Sequence, residues 1–558
     1  MKYAIRDCRN CDGLSDVAYP QCNACVKPTN DLDLVIFKNK LFTKQFNIKD
    51  DSYSISPFFV DCWISPIDGK IIKSYQIKDA QINILQDEER LQYVYSIKIP
   101  HLDKKLGELF KIYEKYEQGD FTEDLLRIWI KQQGILNYLL TDSLVQEINI
   151  NPPEFQSPFR VIHEEFDECT TNIYPSIDFL NYLSTYMKIN TGRPLNKAQP
   201  QLDGELFVED QRARVAAVIP PFSVHGMAYS IRRHRERPWT FPLFIQNKML
   251  TPLSAGFLSF VINHGRALIV AGARGSGKTS FLGAMIPEIL PKYRIITIED
   301  TAELPVDSFK NIGYDLLSLK VRSALMAEGL EMSFDTGLRT SLRLGDSCLF
   351  VGEIRSTEAK VLYEAMRVGA MNNVVAGTIH ADSPYGVFDR VVNDLQVPKG
   401  SFKVTDLVVI VRQIKNPTGL SSFRRIVKIT EVLKDWEDEP KFLDLFVYNT
   451  KTDKLEPTDD FLKGKSQLIK TITETVTGFS TYDDVLNDIK LRGWAKEQTM
   501  LILGSNKDFL EATITMTTNL KFTQLFEELK PFESQKNMDE FQQKYVAALN
   551  EIRNTSIV

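Results

Sequence analysis

In the second half of the chain, beyond Leu250, the hydrophobic and polar positions alternate regularly between strand-like and helix-like segments. Short apolar runs rich in β-branched residues predict strands, and longer segments with apolar residues at helical spacing predict helices. This alternation is typical of a mostly parallel sheet covered on both faces, with ligands at the carboxyl ends of its strands. The predicted strands are Ala267–Ala271, Arg294–Glu299, Cys348–Gly352, Asn373–Thr378, Leu407–Arg412 and Arg424–Leu433, and the predicted helices are Thr279–Ile289, Leu317–Leu330, Thr357–Met371 and Pro384–Leu395.

The first half of the chain has a different pattern. Between Asp142 and about Arg235, strands surround one clear helix, Ile177–Ile189, which predicts a compact α+β domain. Before it, Leu106–Tyr138 predicts two helices with a break near Gly119. The predicted organisation is a small N-terminal segment (1–30), a mixed region with helices (31–140), the α+β domain (141–235), a linker (236–250), an α/β domain (251–435) and a polar helical extension (436–558).

Length and composition agree with several globular domains. A chain of 558 residues is too long for one hydrophobic core. Its 43% hydrophobic and 25% charged residues are ordinary, and a formal charge of −6 gives no global attraction to nucleic acid or acidic lipid. Because we find neither an apolar run of about 18 residues nor a signal pattern at Met1–Asn10, we expect a cytosolic protein.

Four of the seven cysteines form two CxxC pairs, Cys8 with Cys11 and Cys22 with Cys25. Four thiolates on two tight turns can close a tetrahedron around Zn²⁺, which would supply the folding energy that so small a knuckle lacks. The alternatives are a redox CxxC or two disulfides, which a cytosolic setting and the doubled motif disfavour. The other three are interpreted as packing residues: Cys62, Cys169 and Cys348.

The stretch Ala271–Ser280, AGARGSGKTS, matches the phosphate-loop pattern G-x-x-x-x-G-K-[ST] between a predicted strand and a predicted helix. The glycines let the backbone N–H groups approach phosphate oxygens, the lysine neutralises the β- and γ-phosphates, and the threonine hydroxyl can bind Mg²⁺. The sequence therefore predicts a nucleotide triphosphatase. The predicted nucleotide-binding residues are Gly272, Ala273, Arg274, Gly275, Ser276, Gly277, Lys278, Thr279 and Ser280.

Phosphoryl transfer also needs carboxylates for metal and water and a cation for the developing charge. Glu299 and Asp300 end one predicted strand, with Glu303 shortly after, and Glu353 ends another. Carboxylates at strand ends beside a phosphate loop can reach Mg²⁺ or a water, although each alone is commonly a helix cap or a surface turn. His380 follows a third strand, where a neutral imidazole could contact a γ-phosphate or hold a carboxylate.

Four arginines lie just before Pro238, where the predicted linker joins the two large domains, and a charge run of this kind usually forms a solvated face: Arg232, Arg233, Arg235 and Arg237.

The order of four motifs resembles the secretion ATPases of type II and type IV systems, including pilus and archaellum motors, over about residues 140–435. After the phosphate loop come IITIEDTAEL (295–304), LFVGEIRSTEA (349–359) and GTIHADSP (377–384). The resemblance implies a RecA-like P-loop NTPase domain preceded by an α+β domain. It also implies that Glu299 and Asp300 lie near metal and water in an Asp box, that Glu353 is the Walker B acid, and that His380 belongs to a His box.

The resemblance changes the interpretation of the arginines. In this family a segment before the linker supplies cations to the phosphates, and here that segment contains Arg232 and Arg233. Arg212 and Arg214 lie in QLDGELFVEDQRARV, a longer version of the family's LPDGSRV, so either could be the equivalent residue. The residues before the Walker B motif also differ from the family's sequence pattern. Two arginines near that segment, Arg339 and Arg343, are kept as candidates for additional cations at the phosphates.

By resemblance, we expect an ATP- and Mg²⁺-dependent homo-hexameric motor that drives assembly of a pilus-like filament or secretion apparatus. Its partner would be a polytopic membrane platform protein, contacted from the cytoplasmic face. The alternative is a RecA-like helicase or DNA translocase, although no basic stripe with interleaved aromatics appears outside Tyr229–Arg237. A nucleotide-binding scaffold without turnover is a third possibility. Either Glu353 or Glu299 could orient the water, with Glu353 slightly favoured.

Overall fold

The computed structural model describes residue 67 and residues 69–99, 134–153, 156–175, 177–235, 237–321, 333–345, 347–356, 358–369, 373–419 and 422–555, together with four strands nearer the N-terminus. The chain divides into two compact units, Met1–Arg235 and Glu236–Val558. Outside the described residues lie most of the predicted helical segment, 106–133, and the four predicted zinc ligands, Cys8, Cys11, Cys22 and Cys25.

The N-terminal unit consists of strands and two described helices, Ile135–Thr141 and Ile177–Thr191. Its strands are β1 (Tyr3–Asp7), β2 (Leu34–Lys38), β3 (Ser54–Pro57), β4 (Cys62–Ile64), β5 (Lys70–Ile77), β6 (Ala80–Asp87), β7 (Gln92–Lys98), β8 (Val145–Ile150), β9 (Arg160–His163), β10 (Asp167–Thr171), β11 (Ile173–Pro175), β12 (Gln201–Val208), β13 (Gln211–Val218) and β14 (Ala228–Arg233).

Most of these strands belong to one sheet in the order β12-β13-β14-β8-β9-β10-β7-β6-β5. Neighbouring strands are antiparallel except for β10 and β7, which are parallel. Alternation along β13 buries Ala213 and Val215 and turns Arg212 and Arg214 to the opposite face. The helix Ile177–Thr191 contributes to the same hydrophobic core. Strands and a helix therefore share one core as expected, but β5, β6 and β7 belong to the same sheet and precede residue 141, where the α+β domain was predicted to begin.

The C-terminal unit is built around β15 (Ala267–Gly272), β16 (Ile295–Glu299), β17 (Leu316–Lys320), β18 (Cys348–Val351), β19 (Val375–Ile379), β20 (Leu407–Lys415), β21 (Ser422–Val432), β22 (Phe442–Asn449) and β23 (Lys454–Pro457). Its α-helices are Phe241–Gln246, Pro252–Asn263, Lys278–Ala284, Val306–Asn311, Phe334–Arg343, Glu358–Gly369, Pro384–Asp389, Asp459–Leu462, Gln467–Thr475, Tyr482–Leu503, Ala512–Leu529 and Gln535–Thr555. Shorter helical turns are Ile286–Glu288, Arg390–Asp394, Lys399–Val404 and Lys507–Leu510.

The sheet of this unit has the strand order β17-β16-β18-β19-β15-β20-β21-β22-β23. From β17 to β20 the neighbours are parallel, and from β20 onward they are antiparallel. Both faces are covered, because Leu268 and Val270 of β15 pack in one hydrophobic core and Ile269 packs in another. The predicted parallel α/β core is confirmed. None of the helices described in either unit is long and apolar enough to cross a membrane.

Two expectations are wrong. The predicted helix Leu317–Leu330 begins instead as β17, an edge strand that pairs with β16, and 322–330 lie outside the described residues. The extension from residue 436 is not helical throughout, because β22 and β23 continue the main sheet before the helices begin. In both cases strand pairing within the sheet overrides the local sequence pattern.

Candidate active site

The phosphate loop joins β15 to the helix Lys278–Ala284. Gly272 is paired with Val411 of β20, and a Cβ on Gly272 would lie 2.2 Å from the Val411 carbonyl oxygen. Gly277, which precedes the helix, has φ of +98°, a conformation that strains any residue with a side chain. The glycines of the motif are therefore required by the path of the backbone, and they leave the loop free to cradle an anion.

Lys278 reaches back across this loop. Its Nζ donates to the carbonyl oxygens of Gly272 (3.0 Å) and Ala273 (2.9 Å), and its residue surface is only 8% exposed. The Oγ of Ser276 is buried and has no hydrogen-bond partner among the described residues. An ammonium held over a loop of backbone N–H groups fits a nucleotide polyphosphate, the group that the motif predicts.

A row of polar side chains continues from Lys278 along the carboxyl edge of the sheet. Lys278 Nζ lies 3.4 Å from His380 Nδ1, and His380 Nε2 lies 3.1 Å from Glu353 Oε1. Arg355 then links two carboxylates, donating from Nη2 to Glu353 Oε2 (2.6 Å) and from Nη1 to Asp300 Oδ2 (2.8 Å). We call these five residues the carboxyl-edge row. The structure thus brings together the predicted residues of four neighbouring strand ends.

The charges along this row are set by burial and by its cations. Burial alone raises the pKa of Glu353, but the hydrogen bond and charge of Arg355 outweigh it, so that pKa is lowered. Burial and the nearby charge of Lys278 lower the pKa of His380. At neutral pH Glu353 is therefore a carboxylate and His380 a neutral imidazole. Because the Glu353 carboxylate can only accept, the Nε2 atom of His380 is the donor in that contact, and Nδ1 faces the Lys278 ammonium.

Glu299 has a different environment from Glu353. Its Oε1 accepts backbone N–H groups of Glu303 (2.9 Å) and Leu304 (3.0 Å), and Oε2 has no partner among the described residues. With the residue only 2% exposed, burial raises the pKa of Glu299 to about 7. Glu299 therefore organises the turn after β16 and is partly protonated at neutral pH.

Two further residues at this site escaped sequence analysis. Arg355 follows Glu353 by two positions within LFVGEIR, and its place in that motif was the only available signal. Arg424 comes from β21, and its Nε donates to the Gly275 carbonyl of the phosphate loop at 3.0 Å. No local pattern marks that contact, because the two residues are 149 positions apart.

The arginines predicted to supply cations lie on two strands of the N-terminal unit, Arg232 and Arg233 on β14 and Arg212 and Arg214 on β13. Arg232 pairs with Glu147 (3.1 Å), and Arg212 pairs with Glu205 (2.8 Å). Arg233 donates to the Leu140 carbonyl at 2.7 Å. Arg214 is opposite both Arg232 and Glu205 in the sheet register. Of the possible helpers in the other unit, Arg343 is exposed, and Arg339 forms an exposed pair with Asp335.

The sequence matches the model of a protein family described as type II/IV secretion system protein over residues 146–430, just over half of the chain. A Mycobacterium tuberculosis protein named for conjugal transfer is 31% identical over 206 residues, which are 36% of this chain and 56% of that protein. The chain therefore spans little more than half the length of that relative. The type IV secretion system protein PtlH of Bordetella pertussis is 26% identical over 284 residues, 46% of this chain and 81% of PtlH.

Among solved structures, the VirB11 ATPase of the Brucella suis type IV secretion system is 23% identical, with a TM-score of 0.26, over 53% of this chain and 91% of that chain. The family assignment rests on the sequence match. The chain belongs to the type II/IV secretion system protein family.

Proposed function

We propose that the protein is an ATP-hydrolysing motor that powers a type II or type IV secretion apparatus or the assembly of a pilus-like filament. The observation that carries this proposal is the contact of Lys278 in the phosphate loop with neutral His380, and of His380 with the ionised Glu353. Family membership and the parallel sheet support a RecA-like motor domain.

Each of these residues has a role that follows from its contacts. Charged phosphate oxygens are stronger acceptors than the carbonyls of Gly272 and Ala273, so they would draw Lys278 away from those carbonyls. Glu353 can accept a proton from the attacking water and orient it. Because His380 contacts both Lys278 and Glu353, a movement of the lysine on phosphate binding would reach the carboxylate.

Mg²⁺ bound with the nucleotide would neutralise charge on the phosphate oxygens. The residues that would hold it are Thr279, in the first turn of the loop helix, and Glu353 or Glu299. Glu299 has one oxygen, Oε2, without a partner among the described residues, and this oxygen could bind either the metal or a proton, because burial raises the pKa of Glu299. Glu353 is ionised and can accept a proton, so we assign the orientation of the attacking water to Glu353.

The finer features are proposed from the family resemblance. The motor would be a homo-hexamer that works with a polytopic platform protein at the cytoplasmic face of the membrane. Arg232 and Arg233, with Arg212 or Arg214, would supply cations to the phosphates from the N-terminal unit. A structural zinc would be held near the N-terminus by Cys8, Cys11, Cys22 and Cys25.

Release of phosphate from MgATP by the purified full chain tests the function. Wild type should turn over, and Lys278→Ala should lose nearly all activity, because it removes the cation of the loop. Lys292→Ala, which removes an exposed lysine of the same unit, is the matched control and should behave as wild type. Lys278→Ala with wild-type activity would contradict the assignment of the phosphate loop.

The same assay separates the alternative. A RecA-like nucleic-acid motor should hydrolyse ATP faster when single-stranded DNA, duplex DNA or RNA is added. We expect no stimulation by any of the three, and severalfold stimulation would favour the helicase or translocase.

A further inference from the structure

Arg424 contacts the phosphate loop from a strand that lies outside the recognised motifs. It lies on β21, which pairs with β20, and β20 in turn pairs with β15, the strand that leads into the loop. Its Nε donates to the Gly275 carbonyl at 3.0 Å. Its Cδ is 3.4 Å from the position that a Cβ on Gly277 would occupy, so the aliphatic stem covers the second half of the loop.

This contact fixes the orientation of one peptide group. In a trans peptide the carbonyl of Gly275 and the N–H of Ser276 point in opposite directions. With the carbonyl held by Arg424, the N–H of Ser276 points across the loop, where it donates to the Ala273 carbonyl at 3.3 Å. A carbonyl turned into the loop would instead oppose an anion there. Gly275 has φ of +77° and no Cβ, so its backbone can rotate more freely than that of other residues. An outside contact is therefore needed to fix the orientation of its carbonyl.

We propose that Arg424 is a positioning residue for nucleotide binding, which holds the phosphate loop in its anion-accepting conformation through the Gly275 carbonyl. The inference rests on the proposed function, because it concerns the same phosphates. It assigns a role to β21, which supplies the arginine from the antiparallel side of the sheet. The contact is made to the loop and not to the reacting groups, so Arg424 should affect affinity more than the rate of the bound complex.

The test compares two substitutions that keep the long side chain. Arg424→Met keeps an apolar stem beside Gly277 but removes the hydrogen-bond donor and the positive charge. Arg424→Lys keeps the donor and the charge. We expect the dissociation constants of MgATP and MgADP, measured by calorimetry, to rise about three- to tenfold in Arg424→Met, the range for one hydrogen bond of ordinary net strength at an exposed position. Arg424→Lys should recover most of the loss, and kcat at saturating ATP should stay within about twofold of wild type.

Lys415→Ala is the matched control, since it removes an exposed cation from the same hairpin. If Arg424→Met does not fold, Arg424→Leu, which also lacks a donor and a charge, replaces it. Wild-type affinity in that variant, or a fall in kcat without a change in affinity, would overturn the positioning role and leave the proposed function standing. Wild-type protein that does not bind MgATP would overturn both.

Discussion

Glu299 provides a sharp test of the electrostatics at the carboxyl edge of the sheet. The substitution Glu299→Gln keeps an oxygen for the N–H groups of Glu303 and Leu304 but cannot ionise. Burial raises the pKa of Glu299 from 4.5 to about 7, so the folded protein binds this proton more tightly than the unfolded chain. The stability contributed by the proton is complete below pH of about 4.5 and is lost as the pH rises through about 7.

The size of the effect follows from the two pKa values. Each unit of pKa difference between the folded and unfolded states corresponds to about 1.4 kcal/mol of stability. Most of that stability is lost between about pH 5 and pH 8. Over that interval the wild-type protein should therefore lose about 2–3 kcal/mol of unfolding free energy relative to Glu299→Gln. A constant difference between the two proteins, such as the cost of the new amide donor, does not change with pH.

Urea denaturation of both proteins at several pH values measures this difference. Three of the five tryptophans, Trp239, Trp436 and Trp494, lie in the C-terminal unit and report on its unfolding. Glu456→Gln is the matched control, because hydrogen bonds from Asn449 and Thr452 lower the pKa of Glu456 and keep it ionised over the interval. Parallel pH profiles for wild type and Glu299→Gln would refute the reasoning and show that Glu299 is ionised throughout.

Three other outcomes are expected. Glu353→Gln should bind MgATP but hydrolyse it about 100-fold or more slowly, as expected on loss of a general base; normal hydrolysis would mean that another group orients the water. The pair Arg232→Ala and Arg233→Ala should leave nucleotide binding measurable but remove most turnover, and full turnover would make the arginines a solvated face. Elemental analysis should find about one zinc per chain, bound by the four thiolates of Cys8, Cys11, Cys22 and Cys25. Absence of metal, together with alkylation of all four thiols in the native protein, would exclude the zinc site.

The sequence predicted the central strands of the C-terminal unit well because they are buried on both faces. β15 and β16 consist of buried residues throughout, so each gives a continuous apolar run. β17 lies at the sheet edge with alternating exposure, and its leucines fit helical spacing equally well. β22 and β23 were missed for a similar reason, because their half-exposed residues acquire strand structure by pairing with the sheet.

The candidate site was predictable only where its residues lie in motifs. His380 follows β19 directly, Glu353 follows β18 after one residue, and Lys278 follows β15 across the phosphate loop, so the parallel sheet places them at one edge. Which of these residues contact one another depends on the directions of their side chains, and the spacing of residues along the sequence does not determine those directions. Arg424 was beyond prediction because its role comes from the pairing of β20 with β21.

Two C-terminal helices hold the turn that follows the phosphate-loop helix. Gly256 and Gly493 let the helices Pro252–Asn263 and Tyr482–Leu503 meet at backbone distance, since a Cβ on Gly256 would lie 2.2 Å from the Ile489 carbonyl oxygen. Lys496 of the second helix pairs at 2.6 Å with Glu288, in the turn after the phosphate-loop helix, and both side chains are at most 5% exposed. Breaking so deeply buried a pair costs about 3–5 kcal/mol. The far end of the loop helix is thereby anchored, so we expect a shift of Lys278 toward phosphate to change the loop and the carboxyl-edge row more than the helix.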